Sequence, residues 1–136
     1  MIEVDYPLKW EPYGHVPYGV KDTTLLVGQG ENLLQFNLDE MQKDGETIIR
    51  IYQDKQGTLY DIVDAQHYDN PPYLVARVTI PPGQYELYDT GETRKNQATG
   101  KKEKVQAIRK RTVDVENCKI ERCGSWFPLE KKEEEK

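Results

Sequence analysis

The most restrictive feature of this sequence is a series of short runs in which apolar and polar side chains alternate, each closed by glycine, proline or asparagine. Leu34, Phe36 and Leu38 alternate with Gln35 and Asn37. Thr47, Ile49 and Ile51 lie on one side of a run whose other side is Ile48, Arg50 and Tyr52. Leu74, Ala76, Val78 and Ile80 form the cleanest row, and Leu59, Val63 and Ala65 share a face with Asp61. A period of two is the period of a strand with one buried face, and a helix built on it would scatter its apolar side chains around the axis.

Turn chemistry falls between the runs. Gly28-Gln29-Gly30, Asp54-Lys55-Gln56-Gly57, Asn70-Pro71-Pro72 and Pro81-Pro82-Gly83 supply the positive φ, the fixed φ and the local side-chain bonds that reverse a chain. Strands are therefore expected over residues 23–27, 33–38, 46–53, 58–65, 73–80, 84–89, 104–115 and 118–122. One or two helical turns are expected over 39–43, ended by Asp44-Gly45. Composition agrees. Val, Ile, Thr, Tyr, Phe and Trp number 40 against 16 for Ala, Leu and Met, and side chains stiff at χ1 fit a pleated surface better than a helix. About eight strands joined by short loops predict an all-β, single-domain antiparallel sandwich, jelly roll or barrel. Leu, Ile, Val and Phe make up 30 of 136 residues, so its core is thin.

The domain, residues 21–129, is preceded by a different kind of segment. Residues 6–20 read YPLKWEPYGHVPYGV, with prolines at 7, 12 and 17. Proline fixes its own φ and drives the preceding residue to extended geometry, so residues 1–20 are expected to form an extended arm. The arm carries Tyr6, Trp10, Tyr13 and Tyr18. Burying an aromatic ring is worth roughly 1.5–3 kcal/mol, so the arm must lie on something. It wraps this domain's own sheet, docks on a neighbouring subunit, or offers a platform to a sugar or peptide. Residues 130–136, EKKEEEK, form a charged tail expected to be disordered.

Charge sharpens the picture once resolved along the chain. Residues 1–93 hold 16 acidic and 6 basic side chains, a net of -10. Residues 94–112 hold eight basic ones (Arg94, Lys95, Lys101, Lys102, Lys104, Arg109, Lys110 and Arg111) against Glu103, a net of +7. These cations fall on the tip and returning strand of a long hairpin expected over 84–115, with turn signals at Thr90-Gly91 and Thr99-Gly100. A slip in apolar phase around Ile108 predicts a bulge near 109–112. The hairpin is read as a solvated loop, as a dock for an acidic protein surface, or as a phosphate clamp. Against the clamp, residues 89–125 contain no aromatic on which a base stacks, and no P-loop or RNA-binding signature occurs. A +7 hairpin and a -10 body on one molecule suit head-to-tail contact between copies, which closes into rings or grows into stacks.

Catalytic and metal chemistry leave little trace. His67 sits in DIVDAQHYD, where Asp61 and His67 share a strand face and Asp64 points away, so metal ligands do not converge. Cys118 and Cys123, five apart, face opposite sides of a regular strand and read as two free thiols. No nucleophile elbow occurs. Trp126 and Phe127 read as a last apolar anchor. No run approaches the ~20 apolar residues of a membrane span, and Glu3, Asp5 and Pro7 interrupt any leader.

The sequence predicts a non-enzymatic assembly or adaptor subunit of a larger complex, such as a repetitive viral or phage-like particle, without cofactor or metal. Its partner-binding residues are expected to be the four arm aromatics and the eight hairpin cations. Its partner is expected to be a protein or a second copy, held in a salt-sensitive way, in the cytoplasm or a particle assembled inside the cell. The alternatives are a nucleic-acid-associated protein using the hairpin as a phosphate clamp, and a β-barrel binding a small ligand.

Overall fold

The computed structural model describes residues 1–7, 13–62 and 73–125. Trp10, the His67 stretch from residue 63 on, Trp126, Phe127 and the charged tail lie outside the described residues. The chain is all-β. Along it run β1 (Ile2–Asp5), β2 (Tyr18–Lys21), β3 (Thr24–Val27), β4 (Leu34–Asn37), the single-turn helix α1 (Leu38–Met41), β5 (Thr47–Gln53), β6 (Leu59–Tyr60), β7 (Tyr73–Ile80), β8 (Tyr85–Lys95), β9 (Lys102–Lys110) and β10 (Lys119–Arg122).

The strands form three sheets, ordered β1-β10-β7-β5-β6, β2-β3-β4 and β8-β9. None closes on itself among the described residues, so the barrel expected as one alternative is not found. Neighbours are antiparallel except β1, which runs parallel to β10 with Ile2 opposite Lys119 and Asp5 opposite Arg122. The segment read as an arm thus begins as an edge strand of the largest sheet and ends, at Tyr18, as a strand of the second.

One cluster of buried side chains joins the two larger sheets: Leu25, Val27 and Phe36 from the three-stranded sheet, with Ile49, Ile51, Leu59, Val75, Ala76, Val78, Ile80 and Ile120 from the five-stranded one. Val16, Leu38, Val113 and Cys118 complete it from the connections. The alternation over β5 holds, with Ile49, Ile51 and Gln53 inward and Ile48 outward. On β7 it breaks. Ile51 pairs with Ala76 but Tyr52 pairs with Leu74, leaving Val75 as an extra residue. This bulge turns Val75 and Ala76 both inward and leaves Leu74, expected in the buried row, 41% exposed.

Local chemistry accounts for the connections. Asn37 caps α1 by accepting the Glu40 N–H at 3.2 Å, and the helix stops at Met41, short of the expected Lys43. Gly28 adopts φ +98° where a Cβ would meet the Asn32 carbonyl oxygen at 2.3 Å, so glycine is required there. Asn32 then donates to the Gly57 carbonyl and accepts the Leu59 N–H, both at 2.7 Å, tying that loop to β6. Strand character ends at Lys110 rather than continuing to 115. Residues Val115–Asn117 form a 3-10 turn capped by Asp114.

Candidate interaction surface

The hairpin anticipated from charge is a two-stranded ribbon, β8-β9, hydrogen-bonded to neither larger sheet. Its bulge lies on β8 and not near residue 109. Asp89 pairs with Gln106 and Thr93 with Lys104, so Thr90, Gly91 and Glu92 stand opposite Val105. Gly91 takes φ +79°, the Thr90 hydroxyl donates to the Val105 carbonyl at 2.8 Å, and the Asp89 carboxylate accepts the Gly91 N–H at 2.9 Å. Thr90-Gly91 is a turn signal used inside a strand. Asn96 builds the tip: its side-chain oxygen accepts the Ala98 and Thr99 N–H groups and its amide donates to Glu103 at 2.7 Å.

The root is fastened more firmly. Lys110 Nζ donates to Asp39 at 2.7 Å and to Gln42 at 2.8 Å, and the same Asp39 oxygen accepts the Val113 N–H at 2.8 Å. These donors, the Lys110 ammonium above all, hold the Asp39 carboxyl below its ordinary range. Tyr85 donates to Asp44, whose carboxylate raises the phenol's pKa.

The eight cations divide by environment. Arg109 meets Glu86 at 3.0 Å and lies over the Tyr88 ring, 4.8 Å from its centroid. Arg111 reaches Glu86 at 4.0 Å, Lys104 reaches Asp89 at 3.7 Å, and Lys110 is held by Asp39. Arg94, Lys95, Lys101 and Lys102, all at the tip, have no ion-pair partner among the described residues. Lys95 stands directly across from Lys102, a like-charge pair that opposes ribbon formation.

One face of the ribbon carries apolar surface into solvent. Leu87 and Ile108 are direct cross-strand partners, 65% and 68% exposed, with Tyr85 beside them at 52%. Sequence reading attended to the cations and missed this pair. The sequence hardly signals it: Leu87 follows Tyr85 in an odd row on β8, but Ile108 stands alone among Lys102, Lys104, Gln106 and Lys110 on β9.

Two of the arm aromatics, Tyr6 and Tyr18, are placed on this chain's own edge. Tyr6 donates to Glu121 at 2.7 Å and Tyr18 to Glu3 at 2.6 Å. Arg122 organises that edge. It holds Asp5 at 2.6 Å and Glu3 at 2.9 Å, donates to the Val16 carbonyl at 2.8 Å, and lies 4.9 Å from the Tyr18 ring centroid. Burial, reinforced by Glu3, pushes the Tyr18 phenol up to about 12. His15 bonds the Tyr6 carbonyl at 2.8 Å and bridges to Gly124, while Tyr13 stays half exposed. The arm residues and the ribbon cations are not brought into contact: among the described residues, the arm's bonds go to its own residues, to β3 and Gly28, and to residues 118–125, and the ribbon's root to residues 39–44.

No disulfide joins Cys118 and Cys123, and burial raises the pKa of Cys118. Among the described residues no group of three metal-ligating side chains converges, and no helix is long and apolar enough to cross a membrane. Comparison of the chain with protein-family models, with curated proteins and with solved structures finds no match.

Proposed function

We propose that this protein is a non-enzymatic assembly or adaptor subunit, of the kind that builds a repetitive viral or phage-like particle, and that the β8-β9 ribbon is its principal contact. The observation that carries this reading is the ribbon itself. Among the described residues it leaves four tip cations unpaired and an aliphatic pair in water, and an isolated two-stranded ribbon is marginal on its own. A partner that covers the face and neutralises the tip stabilises both features together. The arm, whose Tyr6 and Tyr18 hydroxyls are already engaged, serves first to close this chain's own sheet edge. A two-layer sandwich of the two larger sheets is the architecture proposed beneath it, in keeping with the single cluster they share.

A phosphate clamp is the second reading, favoured by the four unpaired cations. The ribbon's own Glu86, Asp89, Glu92 and Glu103 oppose it, because they lie among the cations and repel a polyanion. The core draws on no residue between 81 and 112, so the ribbon is separable from the fold. The test is light scattering across salt concentrations on the full chain and on a variant with residues 86–109 replaced by a two-residue turn. Salt-sensitive association lost with the ribbon supports the reading. Association unchanged by its removal refutes it.

A further inference from the structure

On β9, which has no bulge, Lys102, Lys104, Gln106, Ile108 and Lys110 share a face, and their partners Lys95, Thr93, Asp89, Leu87 and Tyr85 share it from β8. Read along the ribbon, this face has three zones. The tip holds Lys95 and Lys102 unpaired, with Lys101 beside them. The apolar zone is Tyr85, Leu87 and Ile108. At the root Lys110 is answered by Asp39 and Tyr85 touches Asp44, and exposed Glu40, Asp44 and Glu46 outnumber the one exposed cation, Lys43, on the segment that grips the ribbon.

A strip that is cationic at one end, apolar in between and anionic at the other is complementary to itself when rotated by half a turn. The apolar zone then meets its own copy, and each cationic end meets an anionic end. We propose that this ribbon face is a two-fold interface between two copies of this chain, with Leu87 and Ile108 near the axis and the tip lysines of each copy over Asp44, Glu40 and Glu46 of the other. This rests on the ribbon being the contact element and adds the occupant and the symmetry. On unbulged β9 Lys102 stands six residues beyond Ile108, about 20 Å at ~3.3 Å per residue, so the tip lysines extend over the partner's root segment. Interspersed carboxylates and the absence of aromatics on residues 89–125 favour a protein over a nucleic acid as the occupant.

Cysteine cross-linking of the full chain, in a Cys123→Ser background, tests the symmetry. A residue near a two-fold axis meets its own mate, so Leu87→Cys forms a disulfide-linked dimer with itself on mild oxidation. Lys102→Cys alone does not, yet cross-links when mixed with Asp44→Cys. Leu87→Asp sets like charges across the axis and raises the dimer dissociation constant at least about tenfold. High salt lengthens the list of monomers in the same direction. A wild-type chain that stays monomeric at low salt and high concentration overturns the proposal. So does a Leu87→Cys chain that fails to pair with itself, and so does retention by a single-stranded oligonucleotide without dimer formation. If ribbon-dependent association persists while Leu87→Cys fails to pair, the two-fold interface falls and the assembly reading stands. If association survives loss of the ribbon, both fall.

Discussion

Glu121 and Arg77 face each other across the β10-β7 pair, and the guanidinium reaches both carboxylate oxygens, at 2.8 and 2.9 Å. Tyr6 donates to the same carboxylate at 2.7 Å and Lys119 lies 3.4 Å from it. With the Tyr6 hydroxyl and Arg77 as the leading causes, the Glu121 carboxyl falls from an ordinary 4.5 to about 2. A carboxyl depressed on folding stabilises the fold above its unfolded pKa and loses that contribution as pH falls through the folded value. Stability is therefore expected to hold above pH 4.5 and decline toward pH 2. Glu121→Gln is expected to cost about 1–3 kcal/mol at neutral pH and to flatten that decline, as measured by urea unfolding across pH.

Asp39 is the fastening of the ribbon root. Asp39→Ala removes the acceptor for the buried-side Val113 N–H and the partner of Lys110, at an expected cost of about 1–3 kcal/mol. Asp39→Asn keeps an acceptor for Val113 and is expected to recover part of it. Chemical denaturation of the three chains side by side decides the order.

Gly28→Ala combines a left-handed φ of +98° with a Cβ placed 2.8 Å from Leu59 Cδ1 as well as against the Asn32 carbonyl. The substitution is expected to destabilise by more than the ~1 kcal/mol of an open αL site. Gly19→Ala, with nothing within 4 Å, is the control.

Amides of the ribbon are expected to exchange with deuterium well ahead of those in β5, β7 and β10. The ribbon is stabilised by its own ladder while those strands bear the core. Replacing residues 86–109 by a turn, with Lys110 and Asp39 retained, is expected to change stability by about 0.5 kcal/mol or less. A large drop in Tm would show the ribbon to be part of the cooperative unit.

Strands with one buried face were readable because burial writes itself into alternation. β7 emerges with both bounds as expected, and β4 and β5 within a residue at each end. β1 was not readable. Ile2, Glu3 and Asp5 are exposed, so no inward row exists, and its partner lies at the far end of the sequence. The Val75 bulge was hidden for a different reason: Leu74-Val75-Ala76 is apolar throughout, so an extra residue leaves no mark on the pattern. Of the candidate contact residues, the cations were visible as charge. Which of them are neutralised was not, since Lys110 is answered by Asp39 across 71 positions. The exposed Leu87–Ile108 pair was equally invisible, because a strand that faces water and one that faces a core can spell the same row.

The parallel pairing of β1 with β10 sets an order of events. Asp5 and Arg122 are separated by 117 positions, so β1 leaves the ribosome long before its neighbour β10 is made. Until then β10 cannot shield the β7 edge, and Tyr6 lacks Glu121 and Asp5 lacks Arg122. Completion of the largest sheet is thus a late step, limited by closing a loop of 117 positions. A nascent chain stalled before residue 119 is expected to keep its first strand open to any other unpaired edge in the cell.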